Sequence, residues 1–110
     1  LYVLDQTILT NMPMDTAVMN VYNTLEKEGK TAVDYVRDLG AQEGVEVELS
    51  IKEGTPFKVI LDESPKYDII VMGTLGRTGM SKLLRGSVAE RVGRASQCPV
   101  MVVRAPEASN

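Results

Sequence analysis

Apolar residues recur along this chain at two periods, and the switches between them mark its elements. Leu1-Tyr-Val-Leu4 is a continuous β-prone run closed by Asp5, which predicts a buried strand. Residues 6 to 14 carry Asn11 and Pro13 without periodicity and read as a loop. From about Asp15 the spacing alternates between three and four. Val18, Val21, Tyr22, Leu25, Gly29, Ala32, Val36 and Leu39 then share one face of a long helix. Gly40 or Gly44 ends it. Val45, Val47, Leu49 and Ile51 next alternate with Glu46, Glu48 and Ser50, the pattern of a strand with one buried and one wet face.

Gly54-Thr55-Pro56 supplies a turn, a cap and a first-turn proline, so a second helix starts there. Phe57, Ile60 and Leu61 form its buried stripe, and Ser64-Pro65 stops it. Asp68-Ile-Ile-Val-Met72 is apolar after its first residue and too short for a helix, which predicts a strand buried on both faces. Residues 73 to 86 form a glycine-rich connection with room for one helical turn at Met80 to Leu84. Ser87 opens a helix carrying Val88, Val92 and Ala95, Pro99 to Val103 is the last strand, and Ala105 to Asn110 is a loose tail. Strands alternating with helices imply an α/β fold with a mostly parallel sheet covered on both faces.

Composition narrows the function. At 110 residues the chain fits one small domain, 1-110, and 44% hydrophobic against 25% charged residues predicts a packed core. The net charge of −3 argues against nucleic acid or an anionic membrane as partner. Cys98 is the single cysteine, which excludes an intrachain disulfide and a cysteine-based zinc site; it reads as a small core residue. With no histidine, the commonest general base and metal ligand are both missing. No signal peptide and no membrane-length apolar run are found, so the expected setting is cytoplasmic.

The candidate chemistry lies in the glycine-rich connection. A buried parallel strand, then glycines, then a helix N-terminus is a recurrent way to hold phosphate. Backbone N–H groups converge on the anion, the helix dipole favours negative charge, and glycine admits close approach. Met72-Gly73 sits at the strand end, and Gly86-Ser87 at the mouth of the next helix, with free amides at Ser87, Val88 and Ala89. A purely structural reading stands beside this one. Ser87-Val-Ala-Glu90 is a capping box in which Glu90 reaches back, and the glycines equally suit a tight turn. The segment has neither the Gly-Lys-Ser/Thr ending of a Walker loop nor a Gly-x-Gly-x-x-Gly. On residues alone the loop is an anion site of unspecified kind.

Gly73-x2-Gly76, nine residues, then Gly86-Ser87 resembles the Gly-x2-Gly-x9-Gly-Ser/Thr pattern of the ATP-binding branch of universal stress proteins. Asp68 to Gly73 before it, Ser87 to Val92 after it, Cys98-Pro-Val-Met-Val-Val103 and Glu53-Gly-Thr-Pro56 are similar to the same family. The resemblance implies a Rossmann-like open parallel sheet of order 3-2-1-4-5, an ATP ligand and a homodimer joined through the final strand, 99-103. It also implies site residues. Val3 would lie against adenine, Met72 and Gly73 would line base and ribose, and Gly76 would lie against ribose and phosphate. Gly86, Ser87 and Val88 would hold the terminal phosphates, with any Mg or Mn ion held by the phosphates rather than by side chains. Arg77 adds charge to the phosphate or is a solvated loop residue, while Lys82, Arg85, Arg91 and Arg94 read as an exposed helical face.

One feature departs from the family. Its opening strand, ending near an Asp that contacts adenosine, and the following helix have no counterpart before Leu1. A βα unit needs on the order of 30 residues, so this is no ragged end. In the order 3-2-1-4-5 the missing strand is the central one, and without it nothing joins the strand at 1–4 to that at 68–72. An upstream segment is the expected source, ahead of a shortened chain or a partner's strand. The function expected is a nucleotide-binding regulatory module. A nucleotide-independent dimeric interaction protein and a slow ATPase are the alternatives, and no residue marks an efficient general base.

Overall fold

The computed structural model describes residues 1–6, 16–73 and 87–104. The elements run β1 (Tyr2–Asp5), α1 (Thr16–Gln42), β2 (Ile51–Gly54), α2 (Pro56–Glu63), β3 (Ile70–Gly73), α3 (Ser87–Ala95) and β4 (Val100–Val103), with a 3-10 turn at Ser64–Lys66 after α2. This is the order of strands and helices that the hydrophobic pattern predicts. The strands form two parallel pairs, β1 with β2 and β3 with β4. The chain divides into two compact units, Leu1–Val59 and Ile60–Asn110, so the boundary falls inside α2. The loop expected at 6 to 14, the turn at Met80 to Leu84 and the tail from Ala105 lie wholly or largely outside the described residues.

In the first unit, Tyr2 pairs with Ile51 and Asp5 with Gly54, and the Tyr2 N–H donates to the Ser50 carbonyl at 2.9 Å. The core is Leu4 beneath Val18, Leu25 and Val33 of α1, all buried. The long helix is therefore present, but its apolar face departs from the expected one in its last third. Val33 is buried, whereas Val36 and Leu39 are exposed. Length explains this: α1 is 27 residues, about 40 Å, whereas a four-residue strand spans about 13 Å. The far end of α1 outruns the strands. Residues 45–49 cover it only in part, through the Val45 N–H to the Gly40 carbonyl at 2.8 Å and Val47 beside Gly40.

The strand expected from Val45 to Ile51 is displaced, because the ladder occupies Ile51–Gly54. In the parallel register Tyr2 lies opposite Ile51 and Asp5 opposite Gly54, so the paired residues are 51–54. Val47 and Leu49 are nevertheless half-buried while Glu46 and Glu48 are exposed, so the alternation reports burial correctly and pairing incorrectly.

Helix α2 begins at Pro56 as the Gly-Thr-Pro signal predicts. Gly54 has φ +150, which favours glycine, and the Val59 N–H donates to the Thr55 carbonyl at 3.0 Å. Phe57, Ile60 and Leu61 are half-buried rather than buried. An eight-residue helix is little over two turns and shields its own stripe poorly.

In the second unit, Ile70 to Gly73 pair in register with Val100 to Val103, and the Ile70 N–H donates to the Pro99 carbonyl at 2.9 Å. Helix α3 packs on β4 with Ala89 and Val92 buried. The expectation that β3 is buried on both faces fails here. Ile70 and Met72 are half-buried, but Ile69 and Val71 are exposed, Val71 by 60%. A two-stranded sheet with one helix on it covers one face, and period-two geometry sends Val71 and Met101 to the other.

Candidate functional site

The segment between Gly73 and Ser87 is bracketed by the two elements that a phosphate cradle needs. Continuous β-branched and apolar residues make β3 a strand, and Gly73 is its last residue and exposed. Strands β3 and β4 run parallel, so α3 between them carries the chain back. Its first turn therefore lies at the end where β3 finishes. Helix α3 is nine residues long and anchored by Ala89 and Val92, which fixes its N-terminal amides against the sheet.

Of the residues predicted for the site, Met72 and Gly73 end β3, and Ser87 and Val88 open α3, so one unit holds all four. Met72 and Val88 are half-buried. Gly76, Arg77 and Gly86, with Lys82 and Arg85, lie outside the described residues. Val3 is half-buried on β1 in the other unit.

Glu90 Oε1 accepts from Arg94 Nη2 one turn onward. Glu before Arg at i,i+4 is the favourable orientation on a helix surface, and Arg91 and Arg94 are exposed, as predicted.

Four hydrogen-bonded side chains, Ser64, Ser96, Tyr22 and Lys66, take on roles that the hydrophobic pattern does not show. Ser64, read only as a helix stop, is buried; its Oγ donates to the Leu61 carbonyl at 2.8 Å and accepts from the Gln97 N–H at 3.1 Å. It ties the end of α2 to the turn before β4. Beside it, Ser96 Oγ donates to the Cys98 carbonyl at 2.8 Å and accepts the Cys98 N–H at 3.2 Å, and the Cys98 thiol is half-buried rather than sunk in the core. Tyr22, read as part of an apolar stripe, donates its hydroxyl to Glu53 Oε2 at 2.9 Å. The hydrogen bond to Glu53 raises the Tyr22 phenol above its ordinary value, and burial and the charges of Glu53 and Glu26 push the same way. Lys66 is likewise raised by its hydrogen bond to Glu63 at 2.8 Å and then by that carboxylate's charge. Neither Tyr22–Glu53 nor Ser64–Gln97 has a sequence period, because each depends on residues brought together by packing.

The family model for universal stress proteins matches residues 1–104, nearly the whole chain. The chain belongs to the universal stress protein family. Among its relatives, universal stress protein MJ0531 of Methanocaldococcus jannaschii is 37% identical over 109 residues, covering 97% of this chain and 64% of that protein. Universal stress protein YxiE of Bacillus subtilis is 31% identical over 86 residues, 76% of this chain and 58% of its own length. The chain thus spans somewhat over half the length of these relatives.

Solved structures agree. Protein MJ0577 superposes with a TM-score of 0.80 at 29% identity, over 96% of this chain and 73% of that one. Universal stress protein UspA from Lactobacillus plantarum gives 0.70 at 25%, over 94% and 74%. The fold is therefore the Rossmann-like α/β fold of universal stress proteins. Among the described residues no helix is long and apolar enough to cross a membrane.

Proposed function

We propose that this universal stress protein domain is an ATP-binding regulatory module, not an efficient enzyme. The observation that carries the reading is the bracketing of Gly73-x2-Gly76-x9-Gly86-Ser87 by the end of β3 and the start of α3. That arrangement would bring backbone amides and a helix N-terminus to one place, the physical requirement for a polyphosphate. Gly76, Gly86, Ser87 and Val88 would hold ribose and phosphates, Met72 and Gly73 would line the base and ribose side, and Val3 would meet the adenine. Arg77 would add charge, and any Mg or Mn ion would ride on the phosphates. No side chain in this set is a general base, so a regulatory role fits better than turnover.

The test is a thermal shift. ATP at about a hundredfold over its dissociation constant should stabilise the full chain by about 2.7 kcal/mol. Gly76→Val, which puts a branched side chain where the backbone must approach the ligand, should abolish the shift. An unchanged melting temperature with ATP in the unsubstituted protein would sink the reading.

We also propose that two copies join through β4. Val100 to Val103 is an uncharged strand with Met101, Val102 and Val103 exposed, and among the described residues only β3 pairs with it. Strand β2 differs, since Lys52 and Glu53 place charge along it. Charge blunts an edge and its absence invites pairing. Val102→Lys should therefore shift the mass measured by sedimentation toward the monomer. A monomeric unsubstituted protein at high concentration would refute the dimer.

A further inference from the structure

Strand β4 reads Val-Met-Val-Val, and its methionine is the one side chain on it with reactive chemistry. Met101 is 52% exposed. It projects from the same face as its ladder partner Val71, which is exposed as well. Met72 on the neighbouring strand points to the opposite face and is half-buried. Met19 is also exposed, but it lies on α1 in the first unit, away from β4 in the fold's division.

Edge-to-edge pairing of two copies through β4 uses the strand's backbone and leaves its side chains projecting from the two faces of the sheet. The sulfur of Met101 therefore stays open to a small reagent when β4 pairs. A two-fold axis perpendicular to the sheet also keeps each side chain on its own face. Met101 of one copy then stands opposite Met101 or Val103 of the other, with Cβ atoms about 4.5–5.5 Å apart. Neither neighbour has a side-chain hydrogen-bond donor, and β4 carries no charge.

We infer that Met101 is a site of reversible oxidation by hydroperoxides, and that its oxidation loosens the pairing of two copies; this rests on the β4 dimer proposed above. A sulfur lone pair attacks one peroxide oxygen, the S–O bond forms and the O–O bond breaks. With hydrogen peroxide, the transferred hydroxyl gives its proton to the departing hydroxide, which leaves as water. The thioether is oxidised to a sulfoxide by two electrons and the peroxide is reduced by the same two. The product exchanges a flexible apolar side chain for a polar one with a strong acceptor oxygen. Set against Met101 or Val103 of the second copy, that oxygen loses water and meets no donor, so the paired state is disfavoured relative to the separated chains. Nothing here depends on nucleotide binding.

Sedimentation of the full chain before and after hydrogen peroxide tests this, with mass spectrometry of a digest locating the added oxygen. The untreated protein should be dimeric. Peroxide should place an oxygen on Met101 and weaken the dimer roughly tenfold, the loss of about one methylene's burial in each copy. Methionine sulfoxide reductases should remove the oxygen and restore the dimer. Met101→Leu keeps the volume but cannot be oxidised, so its dissociation constant, whatever the starting value, should not change with peroxide. The other methionines stay oxidisable in that variant, which isolates the effect to position 101. The inference is overturned if Met101 takes up no oxygen under peroxide that oxidises Met19, or if the oxidised protein stays as dimeric as before. It is also overturned if peroxide dissociates Met101→Leu as far as the unsubstituted chain. A protein already monomeric before peroxide is added refutes the β4 pairing itself, and this inference with it.

Discussion

Val92→Asp should abolish cooperative folding of the second unit. Val92 has no exposed surface and sits on the face of α3 that packs on β4. A carboxylate there loses its hydration without gaining a partner, because the neighbouring Glu90–Arg94 pair lies on the exposed side. The cost of burying an unpaired charge is several kcal/mol, comparable to the entire 5–15 kcal/mol by which domains are stable. Val92→Ala provides the graded control and should cost about 2 kcal/mol, from lost apolar area plus a small cavity. Urea denaturation followed by circular dichroism measures both. A Val92→Asp protein that unfolds at the unsubstituted midpoint would show that α3 does not pack as described.

The second large effect has a sign opposite to helix propensity. Gly29 lies in the middle of α1, where replacement by Ala ordinarily gains about 1 kcal/mol. Here a Cβ would stand 2.7 Å from Cδ1 and 3.0 Å from Cε1 of Tyr2. The Tyr2 Cγ is also only 3.3 Å away, so relief requires the whole ring to leave its place rather than its far end to bend aside. Overpacking of this kind costs about 1–3 kcal/mol, so Gly29→Ala should be net destabilising and Gly29→Val more severely so. Shrinking the obstacle should restore the ordinary sign, making Gly29→Ala stabilising in a Tyr2→Ala background. Thermal melts of the four proteins decide it. Gly29→Ala raising the melting temperature in the unsubstituted chain would mean that the helix does not approach β1 this closely.

These two residues show where the reading of the chain succeeds and where it stops. Val92 was assignable from spacing, because a helix of the 87–95 segment has a single apolar face. Gly29 was placed on the correct face for the same reason. That it must be glycine was not legible, since the constraint comes from Tyr2, 27 positions away in sequence. The glycine segment was legible because its spacing is local and its flanking elements follow from short-range patterns. Tyr22 with Glu53 and Ser64 with Gln97 were not, because their partners lie 31 and 33 residues away.

By itself, then, the sequence determined the order of strands and helices, the family and the bracketing of Gly73 to Ser87. All three rest on period, on capping residues and on the fixed spacing of glycines, which are properties of neighbouring positions. Tertiary structure alone decided which apolar residues are covered. Val36, Leu39 and Val71 satisfy the period of a buried face and are exposed, since four-residue strands in pairs are too short and too narrow to shield them.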